Sequence, residues 1–249
     1  MQRIIQLTLA ICLIMYLAIF TCGCSTTPPD TVNPRDPLEH VNRDAFRFND
    51  KFDKGFLKPT AKAYKAVTPY FFRAGLSNFF SNLNETIVIG NDALQGDGAW
   101  LMSDSWRFLV NSTVGLLGTI DVAKHIGLMP HDNDFGLTLN SWGVYSSYLV
   151  VPFLGPKTLE GTVGMVPDYF LSIKSYYVPM DVDVGMFMLD GLNTRAQLLQ
   201  VEQTASGFMF DPYIFYRNAY LQQRAYQLKI NRRGPYFPGY GNNDDSDFE

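Results

Sequence analysis

The sequence predicts an all-α fold, and three observations carry that expectation. Apolar residues recur at steps of three and four in run after run, the spacing that gathers side chains on one face of a helix. The runs are short, with Gly, Pro, Asn and Asp between them where helices start and stop. No stretch sustains the alternation of apolar and polar residues that a half-buried strand needs. Together these describe one domain of short, broken helices, and the chain is long enough to give it a sizeable core.

In chain order, Arg3 precedes an apolar run from Ile4 to Phe20, interrupted by Gln6 and Thr8. Thr21-Cys22-Gly23-Cys24 then places small residues ahead of a cysteine. This is an export signal over residues 1–23. It resembles a bacterial lipobox, with Cys24 as the acylated cysteine; Cys22 and an uncleaved anchor are the alternatives. Ser25, where an aspartate is absent, points onward to an outer membrane. Cys12, Cys22 and Cys24 are the only cysteines, so a chain lipidated at Cys24 keeps no disulfide framework and no cysteine metal site. Residues 24–35 read as a tether, 36–231 as the folded domain and 232–249 as a disordered acidic tail. The formal net charge is −4 and no Lys/Arg cluster appears, which argues against nucleic acid as a partner.

Asp36-Pro37-Leu38-Glu39 has the order of an N-cap, a first-turn proline and a capping-box acid. Leu38, Val41, Ala45, Phe48 and Phe52 form the stripe of the helix that follows, which should end near Gly55. Phe48 and Phe52 suit either core packing or a helix lying on a membrane surface. Pro59 opens a second helix to about Thr68. Beyond Tyr70-Phe71-Phe72, one periodic run carries Leu76, Phe79, Phe80 and Leu83, and Asn84 caps another from Glu85 to Leu94. Asp97 or its neighbour starts the helix of Trp100, Leu101, Trp106 and Phe108. Gly115 and Gly118 break an uncharged stretch, and Asp121 caps a brief helix that stops at Gly127. A long helix runs from Asp183 to about Ser206, and Asp211-Pro212 opens the last one.

Phe135 to Pro156 contains twenty-two residues and no formal charge. As a helix it would span roughly 33 Å, enough to cross a bilayer's hydrocarbon. Gly136, Gly143, Gly155 and Pro152 weaken that helix, and Thr138, Asn140 and Ser141 would carry polar groups into lipid. The stretch is therefore either a buried, turn-rich core segment or an amphipathic loop lining a lipid-facing cavity, built from Phe135, Gly136, Trp142, Gly143, Tyr145, Tyr148, Pro152, Phe153 and Gly155. From Phe135 to Phe210 only nine charged residues occur, and a surface so short of charge calls for lipid or a large partner. No nucleophile elbow, zinc helix, Walker loop or dinucleotide fingerprint is present, and no cofactor is expected. His40, His125 and His131 lack metal-ligand spacing, and His131-Asp132-Asn133-Asp134 reads as a polar turn.

Taken together, several blocks resemble the MlaA (VacJ) family of outer-membrane lipoproteins. They include Asp36-Pro37-Leu38-Glu39 with Asn42-Arg43 and Phe48-Asn49, Gly75-Leu76-Ser77-Asn78-Phe79, Ile120-Asp121-Val122-Ala123, Phe135-Gly136, Pro152-Phe153, Arg195-Ala196-Gln197-Leu198-Leu199 and Asp211-Pro212-Tyr213. Where the family often has Arg-Asp, this chain has Glu160-Gly161. The resemblance implies a ring-like helical domain in the inner leaflet of the outer membrane, with no spanning helix and a polar-lined central channel. It implies a trimeric porin as partner and passage of mislocalised phospholipids to a periplasmic carrier of MlaC type. Phe135 to Gly155 would shape or gate the channel, with Gly143 and Pro152 as hinges. A structural porin-associated lipoprotein and a membrane-surface phospholipase are the alternatives, and no enzymatic activity is expected.

Overall fold

The structure, a computed structural model, describes residues 36–205, 207 and 209–235. Cys24, the signal, the tether and the tail beyond 235 lie outside the described residues. The chain divides into two units, Met1–Pro37 and Leu38–Glu249, and the second holds the fold.

Helix α1 covers Glu39–Phe52 and passes through a π-helical turn, Asp53–Leu57, into α2, Lys58–Val67. Then follow α3 (Tyr70–Gln95), α4 (Gly98–Thr113), α5 (Val122–His125) and α6 (Phe135–Ser141). Strands β1 (Tyr148–Val151) and β2 (Gly155–Thr158) form an antiparallel hairpin with Val151 opposite Gly155. The chain finishes with α7 (Leu159–Leu171), α8 (Lys174–Tyr177), α9 (Met180–Ala205) and α10 (Pro212–Arg233). No helix among the described residues is long and apolar enough to cross a membrane.

The caps at Asp97, Asp121 and Asp211 form as the sequence predicts: each side chain accepts from backbone N–H groups in the first turn of its helix. Elsewhere tertiary structure overrides local signals. Leu38, not Asp36, holds the N-cap position of α1, and Glu39 instead meets Arg43 at 2.7 Å. Gly55 does not stop the helix, because the added residue is absorbed as a π turn. Asn84 caps nothing; it lies within the 26-residue α3, which ends at left-handed Gly96. Cap preference is a weak signal that packing on both sides of a helix can overrule. The uncharged central stretch is not one loop but α6, a turn and the hairpin. The last helix reaches Arg233, slightly past the expected start of the tail.

Within the second unit the helices close a circuit. α1 leads through the π turn to α2, α2 packs on α9, and α9 on α3. α3 meets α6 and α7, α7 meets β2, and β1 returns to α1. The domain is thus an all-α, ring-like arrangement with one small hairpin inserted. Where α2 meets α9, Tyr64 donates to Asn193 Oδ1 at 3.1 Å, and Asn193 Nδ2 donates to the Arg73 carbonyl at 3.1 Å.

Burial in this fold is inverted. Among the described residues the buried apolar side chains are few and scattered, from Ala61, Phe80, Val88 and Trp100 to Ala123, Leu137 and Ala196. One cluster gathers Tyr148, Val150 and Tyr213, with Ala45, Phe46, Tyr220 and Leu221 packed against them. Asn42, Asn91, Asp92, Asp104, Thr138 and Asn193 are fully buried, while Phe71, Leu117 and Tyr177 are 76%, 68% and 81% exposed. Scattered surface leucines are ordinary; a polar interior beneath an aromatic exterior is not.

Candidate functional site

The hairpin reaches its position through two asparagines of α1. Asn42 donates to the Tyr148 carbonyl at 3.1 Å and accepts from Val150 N at 2.9 Å. Seven residues on, Asn49 donates to the Val151 carbonyl at 3.0 Å and accepts from Phe153 N at 2.7 Å. Residues i and i+7 share a helix face, so the two amides form a row that satisfies the free edge of β1 as a third strand would. A short two-stranded hairpin is marginal alone, and this row supplies what it lacks.

The tip of the hairpin joins two groups of predicted residues. Phe153 has a backbone φ of 65°, rare for a bulky side chain, and its ring lies 5.0 Å from Phe48 and 5.2 Å from Phe52, edge-on to both. Phe56 stands 5.5 Å beyond Phe52. All four rings are exposed. Pro152 sits in the same turn and is exposed, and Gly155 closes it with φ of 82°.

The remaining predicted residues of the stretch are placed differently. Tyr148 is buried in the core. Phe135 begins α6, its N–H donating to Asp168 at 3.0 Å, and its ring meets Trp142 at 5.8 Å. Gly136 is a contact point, where a Cβ would stand 2.7 Å from Gly161 Cα on α7. Gly143 has φ of 87° and ends α6: its N–H donates to the Asn140 carbonyl, and Val144 N–H reaches back to Leu139. Tyr145 is exposed and accepts from Arg232 at 3.4 Å. Glu160, at the position of departure from the family pattern, is buried and holds Asn140 at 3.2 Å and Ser146.

Behind the hairpin lies a cavity of about 280 Å³ bounded by α1, the hairpin, α9 and α10. Phe46, Val150, Leu198, Val201 and Phe215 give it apolar walls, and Gly155 is the one residue of the predicted loop set that lines it. Its polar side is an ion cluster the sequence reading did not find. Arg195 meets Asp53 through two bonds of 2.7 Å and Glu202 through a third of 2.7 Å, and Lys58 meets Glu202 at 2.8 Å. Burial alone would raise the Glu202 carboxyl, but Lys58 and Arg195 hold it below the usual range. The hydrogen bonds that Arg195 donates to Asp53 above all raise its already high pKa. The seven-residue spacing of Arg195 and Glu202 was the available signal, but their partners come from the π turn and α2, far away in sequence.

A second polar region lies between α3, α4 and the segment before α6, and it corrects the reading of His131 as part of a simple polar turn. His131 is buried, stacked on Trp100 at 3.9 Å, with Nδ1 2.8 Å from Asp104 and Nε2 3.4 Å from Asp92. One atom from each of Asp92, Asp104 and His131 falls within 4.8 Å of the others, close enough in principle to hold a metal. Both ring nitrogens face acids, however, the disposition of an imidazolium between carboxylates; a metal takes one nitrogen. Arg107 meets Glu85 at 3.0 Å beside it. Asn91 donates to Asp168 at 2.9 Å and accepts from Thr138 at 2.7 Å, tying α3 to α6 and α7.

Comparison with known proteins follows this geometry. Residues 34–227 match the family model described as MlaA lipoprotein. The intermembrane phospholipid transport system lipoprotein MlaA of Escherichia coli strain K12 is 37% identical over 211 residues, 82% of each chain. Its namesake in Haemophilus influenzae is 29% identical over 234 residues, 90% of each chain. A solved structure, described as the structural basis for maintenance of bacterial outer membrane lipid asymmetry, is 35% identical with a TM-score of 0.69, covering 78% of this chain and 98% of that one.

Proposed function

Because this chain belongs to the MlaA lipoprotein family, we propose that it is anchored in the outer membrane through acylated Cys24 and removes mislocalised phospholipid from the outer leaflet. The lipid passes through the cavity between α1, the hairpin, α9 and α10 and is handed to a soluble periplasmic carrier of MlaC type, with a trimeric porin beside the domain. The observation that carries this reading is the two-sided character of α1. Phe48 and Phe52 face outward in an exposed aromatic cluster, while Phe46, Asn49, Asp50 and Asp53 line the cavity. A helix with an apolar outer face and a polar inner one suits a wall between lipid and a headgroup path. The exposed leucines at 116 and 117, both at positive φ, are followed in the same turn by Ile120, which shares a surface patch with exposed Phe71 and Phe72, and together they supply apolar surface that fits the inner leaflet.

Depth does the sorting in this mechanism. Headgroups move along the polar side of the cavity while tails stay against apolar walls, no bond is made or broken, and direction comes from the carrier. Phe135 through Gly155 would act on this path through the hairpin, whose turn contacts α1 and whose adjoining residues Val150, Gly155 and Pro156 form part of the cavity wall.

The test is the outer-leaflet phospholipid level in a deletion strain complemented by wild type, by Cys24→Ala and by Val201→Trp, which fills the cavity. Deletion should raise the level, wild type alone should restore it, and Val201→Trp should fail while still reaching the membrane. A level that deletion leaves unchanged would favour a structural lipoprotein.

A further inference from the structure

The transport reading leaves the chemistry of the cargo open, and the cavity wall bears on it. Asp50 of α1, Asp53 of the π turn and Arg195 and Glu202 of α9 all line the cavity, three acids to one base. The balancing cations, Lys54 on Asp50 at 2.7 Å and Lys58 on Glu202 at 2.8 Å, do not line it. The lining surface therefore presents three carboxylates around one guanidinium, with the two ammonium groups set behind it. Arg195 donates through Nε and Nη2 only; among the described residues its Nη1 makes no hydrogen bond. A guanidinium carries five N–H donors, so part of this fork is available to an incoming acceptor.

From this we infer that the cavity is a pocket for a zwitterionic phospholipid headgroup, whose phosphate accepts from Arg195 and whose ammonium lies against Asp50 and Asp53. The inference rests on the transport reading and adds a preference to it. An anionic headgroup without an ammonium would meet three carboxylates and a single partner, whereas a zwitterion completes both signs. Size agrees: about 280 Å³ is at the lower limit of small-molecule pockets, room for a headgroup and glycerol but not for two acyl chains. Phe46, Leu198, Val201 and Phe215 would meet the first carbons below the phosphate. The site would then hold the head while the tails remain in lipid.

The experiment offers the purified full-length lipoprotein, in detergent, an equimolar mixture of phosphatidylethanolamine and phosphatidylglycerol with identical acyl chains, and native mass spectrometry counts each bound lipid. Wild type should favour phosphatidylethanolamine several-fold, and glycerophosphoethanolamine should displace it where inorganic phosphate at equal concentration does not. Asp50→Lys, at a half-exposed position outside the Arg195 pairings, should reverse the preference, and with only the surface bridge to Lys54 to lose it should lower the melting temperature by little. Arg195→Gln should lose both lipids, and its melting temperature will separate that loss from unfolding. Equal binding of the two lipids by wild type and by Asp50→Lys would overturn the headgroup inference while leaving transport intact. Displacement by inorganic phosphate as readily as by the zwitterion would overturn it also, leaving a plain anion site. Absence of any bound phospholipid would overturn the transport reading together with this one.

Discussion

Asn42 illustrates how much rests on single polar side chains in this protein. Its amide is buried and serves two backbone groups of β1, so Asn42→Ala would leave the Tyr148 carbonyl and the Val150 N–H without those partners. Each buried group left unsatisfied costs about 1–3 kcal/mol, and the urea midpoint should fall accordingly with the slope unchanged. His131 predicts a pH dependence. Burial opposes its charge, but Asp104 and Asp92 outweigh burial and hold it up at about 9. A value raised by folding contributes stability that is whole below about pH 6.5 and is lost as pH rises through about 9. Burial also raises Glu85 to about 7 and Asp168 to about 6, so these acids add a decline at lower pH, between about 4 and 7. Stability should therefore fall from pH 5 to pH 9.5, and His131→Gln should flatten the upper part. An imidazole resonance titrating near 6.5 in the folded protein would contradict this.

Between elements, glycine matters at two positions for opposite reasons. At Gly164 in α7, an added Cβ would stand 2.8 Å from the backbone nitrogen of Gly136, so the two helices cross at a distance that no side chain permits. Gly164→Ala should push α6 off α7 and cost roughly 1–3 kcal/mol, the usual range for overpacking. At Gly143 nothing lies within 4 Å of the same atom, and only the positive φ resists substitution. Gly143→Ala should cost about 1 kcal/mol or slightly more, and thermal melts of the two variants side by side should show the ordering. If Gly143 is also a hinge, as the resemblance implies, its variant should lower lipid transport by more than this stability change explains. The sequence marked Gly143 as a helix breaker and gave no sign of Gly164; only the helix crossing separates a contact glycine from a turn glycine.

For the whole molecule, the inverted burial has a direct consequence in solution. The exposed Phe48, Phe52, Phe56 and Phe153 cluster and the leucines at 116 and 117 should bind membrane through apolar area. Replacing Phe153 and Leu117 together with Ser should lower co-sedimentation with phosphatidylethanolamine vesicles several-fold. The melting temperature should hardly move, since both side chains are mostly exposed already. Unchanged co-sedimentation would assign these faces to a protein partner instead. Much of this level was legible beforehand: the scarcity of charge between Phe135 and Phe210 and the broken helices foretold an apolar exterior. Which aromatics face outward was not legible, because Tyr148 and Phe153 stand five residues apart in one apolar run, yet Tyr148 ends in the core at the base of the hairpin and Phe153 in the exposed turn at its tip.

The sequence by itself determined the helical class, the caps at Asp97, Asp121 and Asp211, the family and the poverty of charge, since caps, periodicity and composition act over a few neighbouring residues. Only the tertiary structure decided the polar sites. Asp53 finds Arg195 across more than a hundred residues, His131 settles between acids on two other helices, and Asn42 and Asn49 become the edge of a sheet. A buried charge or amide takes its meaning from its partner, and the closing of the helix circuit, not local spacing, brings these partners together.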